Sequence, residues 1–228
     1  MREAIVLAGG FGTRLRSVVS DVPKPMAPVA GRPFLSYLLD DLARQGYGHV
    51  VLATGYLHEK VEEYFGHEYN GIAIDYARET SPLGTGGAIV NGLQHCREER
   101  VTVLNGDTLF RIDHDRLLAV GDECRLTLVL RHVPDAGRYG AVEVDAHGCV
   151  TAFREKDPAA GEGLINGGIY RLHRSLLDGW PLGQQFSFEK EVMQPLRESF
   201  RAYLSDTYFI DIGVPDDYAR AQTELPTL

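Results

Sequence analysis

Residues 3–15 of the chain read Glu-Ala-Ile-Val-Leu-Ala-Gly-Gly-Phe-Gly-Thr-Arg-Leu, and this stretch decides the fold. Its first six residues, all apolar except Glu3, have the length typical of a buried strand. The run leads directly into Gly9, Gly10 and Gly12, which allow backbone N–H groups to converge on an anion. Arg14 adds a cation that can bind phosphate oxygens. We therefore expect a ligand at this end of an open α/β sheet.

Strand and helix patterns alternate through the first half of the chain. The strict alternation predicts parallel strands joined by crossover helices, and hence a doubly wound, Rossmann-like α/β sheet. The predicted strands are 3–8, 49–54, 72–77 and 100–104, and the predicted helices are 34–46, 57–65 and 86–95.

The second half of the chain contains more strand and less helix. The pattern predicts strands at 126–130, 140–144, 150–154 and 165–172, then a helix at 188–196, a strand at 208–212 and a helix at 216–225. Strands without intervening helices favour a small antiparallel addition that covers one end of the sheet. No repeat and no linker divides the sequence, so residues 1–228 are predicted to form one domain.

Composition argues against several classes of protein. A net charge of −9 disfavours a nucleic-acid-binding surface, which depends on clustered Lys and Arg. No apolar run approaches the roughly 20 residues of a membrane span, and no secretory leader follows Met1, so we expect a cytoplasmic protein without a membrane partner. Cys96, Cys124 and Cys149 include no closely spaced pair, which predicts reduced, buried thiols.

A second motif, Pro23-Lys24-Pro25-Met26, follows the glycine loop, and its two prolines fix the backbone around Lys24. Taken alone, the loop is also compatible with a structural turn, since its spacing matches neither common phosphate-binding motif. Residues 7–15 and 23–26 together resemble the signature of the nucleoside-diphosphate-sugar pyrophosphorylases, or sugar-1-phosphate nucleotidyltransferases. The resemblance continues through Pro82-Leu83-Gly84-Thr85-Gly86-Gly87-Ala88, Asn105-Gly106-Asp107, Arg138-Tyr139-Gly140, Glu155-Lys156, Asn166-Gly167-Gly168-Ile169-Tyr170 and Phe209-Ile210-Asp211-Ile212-Gly213.

The resemblance implies a glycosyltransferase-A-like fold and a reaction in which a sugar 1-phosphate attacks the α-phosphorus of a nucleoside triphosphate, releasing pyrophosphate. It implies that Asp107 and Asp211 hold Mg²⁺, which takes few protein ligands and completes its shell with phosphates and water. Without the resemblance, both aspartates are equally compatible with capping strand-end turns. Arg14 and Lys24 would bind the triphosphate and stabilise charge in the transition state.

The resemblance also assigns the two substrates to different parts of the chain. Residues 1–110 would mainly bind nucleotide, and residues 111–228 would mainly bind sugar phosphate and close the fold. The nucleotide-binding residues would be Leu7, Ala8, Gly9, Gly10, Gly12, Thr13, Arg14, Lys24, Glu79, Gly84 and Thr85. The sugar-phosphate-binding residues would be Gly140, Glu155, Lys156 and Asn166. Lys156 would bind the sugar's phosphate, although a solvated lysine and a structural Asn166 are the alternatives. The sequence leaves open whether the protein forms a homo-oligomer.

Glu79 bears on the choice of nucleobase. Uridylyl and thymidylyl members of the family resembled carry Gln at this position, and an amide suits uracil and thymine because it both donates and accepts. A carboxylate only accepts, and guanine offers two adjacent donors, N1–H and the N2 amino group. Glu79 therefore favours GTP, with an exposed loop glutamate beside Arg78 as the alternative.

Residues 16–21 depart from the commoner pattern, since many members carry Pro at the position of Ser17. The departure most resembles the branch that makes GDP-heptose from D-glycero-D-manno-heptose 1-phosphate, a precursor for surface glycans. The alternatives are a mannose-1-phosphate guanylyltransferase, a uridylyl or thymidylyl transferase, and a catalytically silent subunit that binds a nucleotide sugar. A silent subunit is expected to lack Arg14, Lys24, Asp107 or Asp211, and all four are present.

Overall fold

An eight-stranded sheet forms the centre of the computed structural model, which describes residues 1–10, 21–120, 123–137, 139–154 and 161–228. The strands are β1 (Arg2–Leu7), β2 (Pro28–Val29), β3 (Arg32–Pro33), β4 (Tyr47–Thr54), β5 (Glu68–Tyr69), β6 (Ile72–Arg78), β7 (Arg100–Asn105), β8 (Thr108–Phe110), β9 (Leu126–Val133), β10 (Val142–Val144), β11 (Val150–Phe153), β12 (Gly163–His173), β13 (Arg201–Leu204) and β14 (Phe209–Asp211). The α-helices are α1 (Phe34–Arg44), α2 (His58–Phe65), α3 (Gly84–Leu93), α4 (His114–Ala119) and α5 (Pro215–Glu224). Short 3₁₀ helices lie at Lys24–Met26, Arg174–Leu177 and Leu225–Thr227, and a π-helical segment lies at Phe188–Met193. None of the helices within these ranges has the length and apolar character that crossing a bilayer requires.

The main sheet has the strand order β13-β9-β12-β7-β1-β4-β6-β5. Strands β7, β1, β4 and β6 are parallel, and α1, α2 and α3 connect successive members of this group along the chain. The other strands extend the sheet on both sides, with β12 and β5 running against their neighbours. The mostly parallel α/β fold predicted from the alternating pattern is therefore confirmed.

The second half of the chain differs from the prediction in where two strands lie. Both β9 and β12, expected in the antiparallel addition, belong to the main sheet, with β12 inserted between β7 and β9. The reason is burial on both faces: residues 126–130 of β9 are all buried, as befits a strand inside a covered sheet. The separate antiparallel addition is the small β10–β11 hairpin. The helix predicted at 188–196 is the shorter π-helical segment at 188–193.

Two large apolar clusters, one on each face of the sheet, form most of the core, and a third, small cluster contains Val133, Ala136 and Ile165. Successive residues of β1 alternate between the two large clusters, because Ala4 and Val6 belong to one cluster while Ile5 belongs to the other. The first cluster includes the buried faces of α1, α2 and α5, and the second includes that of α3. Helices therefore cover both faces, which fixes the carboxyl ends of the parallel strands as an edge where a site can form.

The three cysteines are free thiols, as expected, but they are not all buried. Cys96 is buried, and burial raises the pKa of its thiol to about 12. Cys124 and Cys149 are partly exposed because they lie just before β9 and β11, outside the core. The prediction of buried cysteines is thus wrong for these two.

A buried carboxylate holds the amino end of β1 in place. Glu3 Oε2 accepts hydrogen bonds from the backbone N–H groups of Arg97 and Glu98, at 2.8 and 2.7 Å. Glu3 Oε1 lies 2.8 Å from Nδ1 of His49, whose Nε2 lies 3.1 Å from Asp75. Burial disfavours the charged form, but these hydrogen bonds outweigh it and hold the pKa of Glu3 below its ordinary value of 4.5.

We expect Glu3→Gln to lower the free energy of unfolding by about 1–3 kcal/mol at pH 7, because charged hydrogen bonds in a buried site become neutral ones. A carboxyl whose pKa is lowered by folding stabilises the protein above its unfolded value, and the contribution is lost as pH falls through the folded pKa. The difference between the two proteins should therefore shrink below about pH 4.5 in urea titrations at several pH values. Asp75→Asn is the matched control, since that side chain is 55% exposed. An equal loss in both variants would contradict this role for Glu3.

Candidate active site

The glycine loop begins where three parallel strands meet. Ala8 donates a backbone hydrogen bond to Ala53 in β4, and Gly106 after β7 donates one to Leu7. A Cβ on Gly9 would lie 2.9 Å from Glu79 Oε1, so a larger residue there would displace the Glu79 carboxylate. The carboxyl ends of β1, β4 and β7 thus converge as predicted, with Glu79 against the loop.

A cavity of about 400 Å³ opens at this edge of the sheet. It is lined by Leu7, Gly9, Gly10, Lys24, Pro25, Glu79, Pro82, Gly84, Thr85, Ala88, Asn105, Asp107, Glu189 and Gly213. Most of the predicted nucleotide-binding residues that the structure describes line this one cavity, and Ala8 is buried behind it. Gly12, Thr13, Arg14, Glu155 and Lys156 lie outside the described residues.

Lys24 lies between the two aspartates singled out in the sequence. Its ammonium forms an ion pair with Asp107 Oδ2 and lies 3.8 Å from Asp211 Oδ1. The lysine side chain is only 10% exposed, whereas Asp107 and Asp211 are 34% and 21% exposed. The two carboxylates therefore converge on one cation at the rim of the cavity.

A short ladder brings these two aspartates together from positions 104 residues apart in the sequence (211 − 107). Strands β8 and β14 pair antiparallel, with Asp211 opposite Thr108, and the N–H of Ile212 donates to the carbonyl of Asp107 at 3.0 Å. The N–H of Gly213 donates to Asp211 Oδ1 at 2.6 Å and fixes that carboxylate. A Cβ on Gly213 would lie 2.8 Å from Lys24 Nζ, so a larger residue there would displace the side chains of the cluster.

Glu79 presents a partly buried carboxylate to the cavity. Its Oε2 accepts from the backbone N–H of Leu83 at 3.0 Å. Burial raises the pKa of Glu79, and the hydrogen bond from Leu83 opposes that rise. Arg78, the suggested partner in the alternative interpretation, instead pairs with Glu62. Glu79 is therefore not an exposed glutamate neutralised by its neighbour.

The predicted sugar-binding residues that can be located lie outside the residues lining this cavity. Asn166 Nδ2 donates to the Tyr170 hydroxyl at 2.8 Å, and Asn166 Oδ1 accepts from the Gly168 N–H at 3.0 Å. The side chain of Asn166 thus has structural hydrogen bonds in the structure described. Gly140 has a positive φ of 81°, and its N–H donates to the carbonyl of Ala136 at 3.1 Å.

Sequence reasoning missed Glu189, which lines the cavity from the π-helical segment. Its neighbourhood, Ser187-Phe188-Glu189-Lys190-Glu191, contains several charged residues, and nothing in that pattern marks one of them. Only the packing of this segment on α3, a long-range contact, brings Glu189 to the cavity.

The fold and its edge cavity define a class: α/β proteins whose ligand lies beyond the carboxyl ends of parallel strands. Within that class, the family model described as nucleotidyl transferase matches residues 3–227. The chain therefore belongs to the nucleotidyl transferase family, as its motifs predicted, and it is an enzyme of nucleotidyl transfer.

Two relatives of established name match the chain over nearly its full length. The chain is 46% identical over 227 residues to the D-glycero-alpha-D-manno-heptose 1-phosphate guanylyltransferase of Aneurinibacillus thermoaerophilus, with 98% of each chain covered. It is 45% identical over 217 residues to the protein of the same name from Campylobacter jejuni, with 95% and 96% covered. The crystal structure of HddC from Yersinia pseudotuberculosis complexed with GMP-PN superposes with a TM-score of 0.88 at 35% identity, covering 97% of this chain and 98% of that one.

Proposed function

We propose that the protein transfers the guanylyl group of GTP to D-glycero-α-D-manno-heptose 1-phosphate. An oxygen of the sugar 1-phosphate bonds to the α-phosphorus, the bond to the β-phosphate oxygen breaks, and GDP-heptose and pyrophosphate form. The names of the two relatives at 45–46% identity support the heptose substrate. The observation in this chain that supports guanine as the base is the Glu79 carboxylate, which lines the cavity beside the glycine loop.

Glu79 suits guanine because its two carboxylate oxygens only accept hydrogen bonds. Guanine presents N1–H and the N2 amino group side by side, and one ionised carboxylate can accept from both. Leu83 N–H, bonded to Oε2, holds the carboxylate in place against Gly9. A base that presents an acceptor there would face a lone pair, which costs the desolvation of an unpaired polar group.

The reaction brings two anions together, so charge neutralisation and alignment supply most of the catalysis. In the proposal, Lys24 and Arg14 bind the triphosphate, and Lys24 offsets charge that develops on the α-phosphoryl group. Gly9 and Gly10 offer backbone N–H groups to phosphate oxygens. On the acceptor side, Lys156 would bind the sugar's phosphate, and Gly140, Glu155 and Asn166 would contact the sugar.

Asp107 and Asp211 fit a divalent cation, since they already converge on the Lys24 ammonium as a stand-in cation. In the described part of the chain no cluster of three or more His, Cys, Asp or Glu side chains could hold a metal. Two carboxylates suit Mg²⁺, which keeps water and phosphate oxygens as its other ligands. When bound, the ion would supply positive charge to the phosphates. Mg²⁺ and a cytoplasmic location both stay predictions.

A pyrophosphate-release assay tests the proposal by crossing GTP, ATP, UTP and dTTP with heptose, mannose, glucose and galactose 1-phosphates. We expect GTP with D-glycero-α-D-manno-heptose 1-phosphate to give the highest kcat/KM. If kcat/KM is higher with mannose 1-phosphate, the proposed sugar substrate is wrong. If it is higher with UTP or dTTP, the proposed nucleobase is wrong. Binding of GDP-heptose without turnover of any pair would favour the silent-subunit alternative.

We expect Asp107→Asn and Asp211→Asn each to reduce kcat by about 10²-fold or more while the protein stays folded, because the amide keeps the shape and removes the charge. Steady-state kinetics at saturating Mg²⁺, with circular dichroism to check the fold, measures this. Asp115→Asn, which removes an exposed carboxylate in α4, is the control. A near wild-type rate in either site variant would remove that residue from the metal site.

Lys24→Met should strengthen Mn²⁺ binding to the ligand-free protein by about tenfold or more, because the lysine charge no longer competes for the two carboxylates. The same change should weaken GTP binding, since Lys24 is assigned to the triphosphate. Electron paramagnetic resonance measures the concentration of free Mn²⁺ and hence its affinity, and calorimetry measures the affinity for GTP. Lys60→Met removes an exposed lysine that donates to the Asp21 carbonyl, and it should change neither affinity. Unaltered Mn²⁺ binding in Lys24→Met would show that the carboxylates do not form the cation site.

Glu79→Gln should lower kcat/KM for GTP by roughly ten- to a hundredfold, since one acceptor becomes a donor facing another donor. The preference over UTP and dTTP should narrow. Because burial raises the pKa of Glu79, protonation should also increase the wild-type KM for GTP in mildly acidic buffer. In Glu79→Gln, the KM for GTP should not show this increase at acidic pH. If its GTP preference is unchanged, the base is recognised by other groups.

A further inference from the structure

The glycine-rich motif at residues 84–88 is a docking surface for another segment of the chain. A Cβ on Gly84 would lie 2.5 Å from the carbonyl oxygen of Phe186, and a Cβ on Gly86 would lie 2.1 Å from the Phe186 ring. Gly87 similarly approaches the carbonyl oxygen of Gln184. Backbone hydrogen bonds join Phe186 N–H to the Leu83 carbonyl and Gly86 N–H to the Phe186 carbonyl, each at 3.0 Å. These glycines therefore admit residues 184–188 to the beginning of α3.

The docked segment carries Glu189 to the cavity, and two hydroxyl groups fix one oxygen of its carboxylate. Thr85 Oγ1 donates to Glu189 Oε2 at 2.5 Å, and Ser187 Oγ donates to the same oxygen at 2.9 Å. Each hydroxyl accepts a backbone N–H in turn, from Phe188 and Lys190 respectively. Each hydroxyl has a single hydrogen, and an ionised carboxylate can only accept, so both hydroxyls donate that hydrogen to Oε2.

The second oxygen of Glu189 has a different environment. No hydrogen bond joins Oε1 to any residue in the described ranges, and Glu189 is a partly exposed residue of the cavity wall. An ionised carboxylate accepts hydrogen bonds and cannot donate them. Among the groups that the substrates carry, a hydrogen-bond partner for Oε1 must therefore be a hydroxyl or N–H group rather than a phosphate oxygen.

The neighbours of Glu189 show which part of the substrates lies near it. Burial and the charge of Glu189 raise the pKa of the buried Tyr170, and the charge of Asp107 adds to that rise. Glu189 and Asp107 both line the cavity. Glu189 is bonded to Thr85, two residues beyond Leu83, whose N–H is bonded to Glu79. Glu79 lies on the same cavity and is already assigned to the base. The groups between a base and the metal-side phosphates are sugar rings, whose donors are hydroxyls.

We propose that Glu189 binds a hydroxyl group of a sugar ring, either the ribose of the nucleotide or the acceptor sugar, and that Thr85 and Ser187 are positioning residues that orient it. The proposal rests on the proposed nucleotidyl transfer. It gives Thr85 a positioning role, because the hydrogen of the Thr85 hydroxyl is donated to the carboxylate. Glu189 would then select substrates by a hydroxyl that a deoxy analogue lacks.

Kinetics of Glu189→Gln tests this with whichever nucleotide and sugar 1-phosphate the wild-type protein turns over fastest. We expect KM for one substrate to rise about ten- to a hundredfold, as for loss of a hydrogen bond to a charged group, with a smaller change in KM for the other. Glu191→Gln is the matched control, because Glu191 lies exposed in the same segment and its amide keeps an acceptor for the Ser187 N–H. The control should behave as wild type.

Deoxy analogues separate the two sources of the hydroxyl. In the wild-type protein, one of 2′-deoxy-GTP, 3′-deoxy-GTP or a deoxy sugar 1-phosphate should show the same rise in KM that Glu189→Gln shows. In the variant, that analogue and its parent should have equal KM values. A raised KM for a deoxy nucleotide assigns Glu189 to the ribose, and a raised KM for a deoxy sugar 1-phosphate assigns it to the acceptor sugar.

Substitutions of Thr85 test whether its hydroxyl positions the Glu189 carboxylate. Thr85→Val should raise KM for the same substrate by a smaller factor with kcat nearly unchanged, and Thr85→Ser should restore it, because serine keeps the donating hydroxyl. Calorimetric binding of each substrate gives a readout that does not require turnover, so a failure of the proposed reaction is distinguishable from a failure of this inference. Unchanged binding of both substrates by folded Glu189→Gln, or penalties for every analogue that persist in the variant, would overturn the proposal.

Discussion

The contact of Lys24 with Asp107 and Asp211 is the interaction on which the arrangement of the site depends. Two carboxylates that converge at partly buried positions repel each other unless a cation lies between them. The three residues come from a proline-fixed turn, from the end of β7 and from β14, so their contact ties the glycine-loop end of the sheet to the late part of the chain. The β8–β14 ladder and Gly213 supply the backbone geometry for this contact.

This cation matters because the chain as a whole is acidic, with a net charge of −9. General attraction by the protein surface does not draw in a triphosphate and a sugar phosphate, so positive charge must be concentrated at the site. Lys24 offsets the charge of Asp107 and Asp211. In the proposed function these two carboxylates would hold a divalent cation, which would add positive charge, and Lys24 would bind the phosphates. One lysine can thus offset the charge of the two carboxylates and also bind phosphates in the proposed reaction.

The elements that the sequence predicts well are those whose signals are local. Strands β1, β4, β6 and β7 are short apolar runs, and the glycine loop, Lys24, Asp107 and Asp211 lie in compact motifs that can be recognised one at a time. The position of β12 between β7 and β9 could not be predicted, because an apolar run does not specify its neighbours. Glu189 was missed for a related reason: its place depends on the docking of residues 184–188 on α3.

The cavity presents both hydrogen-bond donors and carboxylate acceptors, and their positions constrain how a nucleotide could bind in the proposed mode. The Gly9 and Gly10 backbone and Lys24 offer donors, which suit phosphates, whereas Glu79 and Glu189 offer carboxylates, which suit only groups that donate. A nucleotide carries its acceptors on the phosphates and its donors on the base and the ribose. In the proposed binding mode, turning the nucleotide end for end would set phosphates against Glu79 and Glu189, so repulsion would disfavour the reversed orientation and direct the α-phosphorus to Lys24.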